Sequence, residues 1–223
     1  MILHGFSHQF ILGALVTSKV GVGCFIFGCA LGLAGAGAKM SRLQGLRIMA
    51  NVYTTVIRGL PNLLTIMIVY FGGTATLSRV VGRYVEVNAL WAGIFALSLV
   101  FGAYATEVFR GAILAVPRGQ IEAAQALGLS RRDTYRFIVL PQAWRYALPG
   151  IGNQWQATLK ETSLVSVIGL EELMRKAAIA AGRTHEPFTM YMGAALFYLI
   201  LTSSSDFMFR LAERRANRGL VKE

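Results

Sequence analysis

Charge is scarce in this chain. Only 15% of its 223 residues are Asp, Glu, Lys or Arg, 55% are hydrophobic and the mean hydropathy is +0.53. Ordinary soluble domains carry roughly 25% charged residues. A soluble reading would need an outsized core, whereas a membrane protein needs none. Chemistry is scarce too. No G-x-x-x-x-G-K-[ST] loop occurs, so the chain cradles no nucleotide phosphates of its own, and no cofactor is expected on it. H-E-x-x-H and G-x-S-x-G are absent, and His4, His8 and His185 are scattered, which leaves a membrane metalloprotease or lipase without a site. Cys24 and Cys29 fit no metal or redox spacing and read as small apolar side chains. The first fifteen residues lack a basic n-region and a clear cleavage site, so the first apolar tract is expected to act as its own insertion signal. No internal repeat of the kind that builds a two-halved carrier is visible.

What the chain does have is long apolar tracts. Crossing hydrocarbon as one helix takes about 20 residues. Four tracts qualify: Phe10 to Ala38, Val52 to Gly73, Asn88 to Phe109 and Pro187 to Phe209. A fifth, Tyr146 to Leu170, contains Lys160 and Glu161 and crosses if the basic segments on either side of it share a face of the membrane. The expectation is an all-α membrane protein with about five spans, forming a single transmembrane domain over residues 1–223. Glycine is frequent in the first span, at positions 21, 23, 28, 32, 35 and 37 among others. Gly28 and Gly32 form a small-xxx-small pair, suited equally to packing within one subunit and to a subunit interface.

Basic residues orient these spans. With the N-terminus outside and five crossings, the inner segments hold Lys39, Arg42, Arg47, Arg110, Arg118, Arg131, Arg132, Arg136, Arg145, Arg210, Arg214, Arg215, Arg218 and Lys222. The outer loops hold Arg79, Arg83, Arg175, Lys176 and Arg183, so the ratio is fourteen to five in favour of N-out, C-in. The net charge of +11 is thereby explained by membrane boundaries. It makes anionic lipid headgroups the expected counter-ions and argues against a nucleic-acid partner.

Between these spans lies a polar stretch, residues 118–141, with helical-hairpin signals. Pro117 suits a first helical turn, Gly128 suits a left-handed residue ending a helix, Ser130-x-x-Asp133 suits the start of a second short helix, and Pro141 is expected to stop it. Alanines at 123 and 124 allow close approach by a partner, and Glu122 offers one charge to fix register. Glu122-Ala123-Ala124, then Gly128, then Ile138, Leu140 and Pro141 fill every fixed position of the EAA loop of ABC-importer permeases, which this segment resembles.

The resemblance runs from Arg58 to Met174 and points to the polar amino acid uptake family, the histidine/glutamine/arginine/opine type. Arg58-Gly59-Leu60-Pro61 resembles that family's R-G-T-P. Tyr104, Glu107, Arg110-Gly111-Ala112 and Val116-Pro117-Arg118-Gly119-Gln120 resemble its approach to the EAA loop. The run from Leu159 to Gly169 resembles L-K-[DE]-T-S-L-V-S-V-I-G. Leu60 and Asn62 depart from the pattern, where a threonine and an apolar residue are usual. The resemblance implies a type I importer permease fold and a half-pore paired with a second permease subunit, alike or a sister chain. It also implies two ABC ATPase subunits that bind ATP and magnesium, and a periplasmic or lipid-anchored substrate-binding protein. The hairpin would be the element that couples ATPase to pore, in the inner membrane, and the cargo would be a polar, best guessed basic, amino acid or an opine.

Charged groups inside spans are functional hypotheses by default. Lys160, Glu161, Thr162 and Ser163 are the substrate-pathway candidates. Lys160 and Glu161 are adjacent, so they lie on different faces of a helix and cannot simply pair. Contact with substrate, a role in a gate, and a structural placement near the outer interface all remain open. Arg58 is expected to snorkel to headgroups. The competing classes are an ATP-independent channel or carrier and a membrane-embedded enzyme. Co-purification of an ATPase separates the first from the importer, and the second has no nucleophile or metal cluster.

Overall fold

A computed structural model describes residues 5–217, and every regular element in that range is helical. In chain order these are α1 (Ser7–Lys39), α2 (Gln44–Gly59), α3 (Asn62–Val81), α4 (Ala89–Leu114), α5 (Arg118–Ala126), α6 (Arg131–Asp133), α7 (Leu140–Glu161), α8 (Leu173–Thr184) and α9 (Pro187–Ala216). Among the described residues, α1, α3, α4 and α9 are long and apolar enough to cross a membrane. Arg218 and Lys222, counted above on the inner side, lie outside the described residues.

The central helix is α4, which is 67% buried in its most apolar stretch, against 11% for α9. Asn88 caps its start by accepting from the backbone N–H groups of Leu90 and Trp91. Glycines explain how closely α1 lies along it. A Cβ on Gly28 would stand 2.6 Å from the Phe101 ring, on Gly32 2.6 Å from the Ala105 Cβ, and on Gly35 2.2 Å from the Thr106 hydroxyl. The glycine seam of the first span is therefore packing within one subunit, the first of the two uses open to it.

The second apolar tract is not one helix. It breaks at Leu60, which is extended (φ −97°, ψ 145°), and α3 begins afresh at Asn62. Proline supplies the cause, since Pro61 has no N–H to donate and its ring drives the preceding residue out of the helical region. The upstream piece, α2, is amphipathic. It buries Ala50 and Thr54 and exposes Ile48, Met49, Val52 and Val56. The Tyr53 hydroxyl donates to the Leu99 carbonyl of α4 at 2.7 Å. Arg58, exposed at the end of α2, lays its guanidinium over the Tyr104 ring, 5.0 Å from the centroid, a cation–π contact.

The last third of the chain is a helical return. α7 packs between α4 and α9, a 3₁₀ run covers Thr162–Ile168, and Gly169 (φ +90°) turns the chain towards α8, which lies on α1 and α9. Glu172, fully buried, ties this turn together. It caps α8 through the Arg175 N–H and accepts from the Thr17 hydroxyl of α1 and the Tyr198 hydroxyl of α9.

Candidate functional site

The polar stretch forms a hairpin whose bend is closed by backbone alone. α5 ends at Ala126, Leu127 is the cap, and Gly128 adopts φ +79°. The Gly128 N–H donates to the Gln125 carbonyl and the Leu129 N–H to the Ala124 carbonyl, the paired bonds of a Schellman ending. Ser130 then caps the second arm, its hydroxyl accepting from the Asp133 N–H at 3.2 Å. Pro117 (φ −59°, ψ 130°) stands one position before α5.

The second arm is longer than expected. Pro141 does not stop it; α6 widens into a π-helical segment, Thr134–Val139, and continues directly into α7. Within that segment the Leu140 N–H reaches the Tyr135 carbonyl, five residues back. The wider turn relieves the proline, whose ring would otherwise press on the carbonyl four residues before it. The second arm of the hairpin is thus continuous with α7, with no loop between them.

Two sets of contacts hold the hairpin to the membrane core. Val116, Val139 and Ala143 are buried in one apolar cluster with Phe109 and Ala112 of α4, and Ile121 and Tyr135 pack against it. Across the arms, the Gln142 amide donates to the Gln120 side chain and to the Ile138 carbonyl. Ala124 is buried on the inner face. Glu122, Ala123, Gly128 and Pro141 are exposed, Ile138 is half-buried, and Leu127 at the bend is 83% exposed. Ala124, Gly128 and Ile138 thus build the hairpin, while Glu122, Ala123 and the neighbouring Leu127, outside the motif, present a carboxylate, a small flat patch and an apolar knob. Sequence reading missed the ion pair that ties the end of α1 to α4, because it joins distant positions. Glu107 of α4 accepts from Lys39 at the end of α1 and, at 3.0 Å, from Arg110.

The four pathway candidates divide between two places. Lys160 and Ser163 line a cleft of about 280 Å³ with Tyr191 and Tyr198 of α9. Glu161 turns the other way, half-buried beside Asn62 at the start of α3, and its Oε2 has no hydrogen-bond partner. Thr162 is buried and bonded to the Leu159 carbonyl at 2.7 Å, and the Ser163 hydroxyl bonds the Lys160 carbonyl at 2.8 Å, so both hydroxyls are satisfied locally. Asn62, one of the departures noted in the sequence, is the neighbour that reading did not connect to Glu161. Among the described residues no group of His, Cys, Asp and Glu is placed to hold a metal.

Similarity to known proteins agrees with this architecture. Residues 26–218 match the family of binding-protein-dependent transport system inner membrane components. The nopaline transport system permease protein of Agrobacterium fabrum is 47% identical, over 97% of this chain and 94% of its own length. The histidine/lysine/arginine/ornithine transport system permease protein of Escherichia coli is 41% identical, over 99% of this chain and 98% of its own length. Among solved structures, a chain of an amino acid ABC transporter crystallised with histidines superposes with a TM-score of 0.84 at 34% identity, covering 94% of this chain and 95% of that one. This chain belongs to the family of inner membrane permease components of binding-protein-dependent ABC importers.

Proposed function

We propose that the chain forms half of a pore for cationic amino acids or opines, with its N-terminus outside and its C-terminus in the cytoplasm. A second permease, alike or a sister chain, completes the pore, and a binding protein outside delivers the cargo. Two ATPase subunits, which hold the ATP and magnesium, dock on residues 118–141. The exposed carboxylate, flat patch and apolar knob, carried on the stiff end of α7, are the observation that carries the docking role. A hinge-free connection passes rigid-body motion of the ATPase into the bundle, which is how alternating access is driven.

Relatives whose names specify nopaline or histidine, lysine, arginine and ornithine support the cargo class. The Glu161 carboxylate supports it chemically. A buried carboxylate oxygen without a partner is costly in a membrane helix, and an ammonium or guanidinium group of a substrate that reaches it would satisfy it. Tyr146–Leu170 serves as the fifth span, with α7 carrying the chain in from the cytoplasmic side. The test is uptake by the reconstituted complex of permeases, ATPase and binding protein in liposomes. ATP-dependent uptake of labelled arginine or ornithine that glutamate does not compete supports the proposal. Uptake that proceeds without ATP, or that prefers acidic cargo, overturns it.

A further inference from the structure

Along the second arm of the hairpin, sharing no residue with the Glu122, Ala123 and Leu127 patch, lies an open cleft of about 940 Å³ that reaches the end of α1, the end of α4 and the start of α7. Three exposed arginines, Arg131, Arg132 and Arg136, stand on it with Tyr135. Among the described residues none of the three is paired with a carboxylate; Arg136 leans only on the Phe137 ring. Uncompensated arginines bunched at one mouth are a recognition site for a multivalent anion, because the guanidinium fork matches phosphate oxygens.

The opposite wall is apolar and leads away from the arginines. Ile113 and Leu140 line this cleft and also a second, narrower groove of about 180 Å³ that continues along α4 and α7 past Ala143 to Trp144 and Ala147. On α1 the cleft is lined by Gly37 and the groove by Leu33, one helical turn deeper into the span. Trp144 is 55% exposed, the half-wet placement such rings take at a membrane interface. A basic mouth opening onto a narrow apolar channel at membrane depth has the two-part chemistry of a phospholipid, and a free phosphate would use only half of it.

We propose that this cleft binds an anionic diacyl phospholipid of the cytoplasmic leaflet, its phosphate on Arg131, Arg132 and Arg136 and an acyl chain along Leu33, Ile113, Leu140 and Trp144. It rests on the reading that the hairpin faces the cytoplasm. The lipid would brace the base of the coupling hairpin against α1, filling the gap left by the absent side chain of Gly37. Basic pockets between membrane helices on this face select anionic headgroups in the same way.

The test is lipid retention by the purified permease, taken from nanodiscs of phosphatidylglycerol or of phosphatidylcholine into delipidating detergent and weighed by native mass spectrometry. Wild type keeps one phosphatidylglycerol and no phosphatidylcholine. Combined Arg131→Gln, Arg132→Gln and Arg136→Gln weakens retention by about a hundredfold, the loss expected for three basic contacts to an anionic surface. Gly37→Phe blocks the cleft without disturbing the fold, because a Cβ there meets nothing within 4 Å. Arg42→Gln with Arg47→Gln, exposed arginines outside the cleft, leaves retention unchanged. Equal loss in that control or full retention in the triple variant overturns the proposal. So does displacement of the lipid by millimolar inorganic phosphate, which would make the site one for free phosphate. If the triple variant lowers ATPase stimulation with retention intact, the arginines serve the ATPase surface and the lipid site is refuted. Retention in detergent depends on neither cargo nor ATP, so failure of the transport proposal would be read separately, in liposome uptake.

Discussion

Replacing Gly128 separates backbone geometry from side-chain packing at the hairpin bend. Its φ of +79° lies in the left-handed region, and a Cβ built there meets nothing within 4 Å. Crowding therefore plays no part, and the whole cost falls on the backbone, about 1–2 kcal/mol for an ordinary L-residue and more for a β-branched one. α5 is nine residues long, too short to hold itself in helical form, and the two Schellman bonds are what close its end. A loss of 1–2 kcal/mol lowers the population of the closed bend by a factor of about 5–30. Asn tolerates the left-handed region, so the series Gly128→Asn, Gly128→Ala, Gly128→Val should fall in that order in substrate-stimulated ATP hydrolysis and uptake by reconstituted complexes, with Val losing most of the coupling and all three inserting in the membrane. Normal coupling in Gly128→Val, or an Asn variant as poor as Val, would refute the reasoning.

Other substitutions probe other parts. Glu122→Ala removes the exposed carboxylate of the docking face and should weaken ATPase co-purification and uptake, leaving permease stability in a detergent melt unchanged; a lower melting point instead would give Glu122 a folding role. Gly32→Leu forces a side chain into Ala105 across the α1–α4 seam, where a Cβ already stands 2.6 Å away, and overpacking of about 1–3 kcal/mol should lower thermal stability, whereas Gly37→Leu should not. Glu161→Gln should reduce uptake of cationic cargo with insertion intact; unchanged uptake across the concentration range would make Glu161 structural. A reporter active only in the cytoplasm should work after Glu223 and fail near Gly82, and the reverse pattern would invert the topology.

Features written locally were legible from the chain. Gly128, Ser130 and Asp133 act within a few residues of themselves, so the bend and its cap could be read directly, and α4 starts where the apolar tract from Asn88 placed it but runs to Leu114, five residues past the expected Phe109. Hydropathy hid the break at Leu60–Pro61, because a 22-residue apolar window outweighs one proline, although Gly59 and Pro61 together mark it. Pro141 misled for a different reason. It stands where a helix should end, yet the chain stays helical there through the widened turn of Thr134–Val139, with Val139 and Ala143 packed in one cluster with α4. The pairs Lys39–Glu107 and Thr17–Glu172 join residues 68 and 155 positions apart, and no sequence period carries them. Placement of Lys160 and Glu161 on separate faces was legible from their adjacency; that Asn62 would stand beside Glu161 was not, since it depends on where α3 restarts.

The central claim, that the ATPase seats on the bend of the hairpin, is tested most directly by site-specific crosslinking. Leu127, 83% exposed at the bend, is replaced by Cys and labelled with a thiol-linked photoreactive group in the assembled complex; Val80→Cys, 80% exposed near the end of α3, serves as the control. Background labelling is low because Cys24 is buried and Cys29 half-buried within α1. The account predicts an adduct between position 127 and the ATPase subunit, and none from position 80. An ATPase adduct from position 80 with none from position 127 would contradict it.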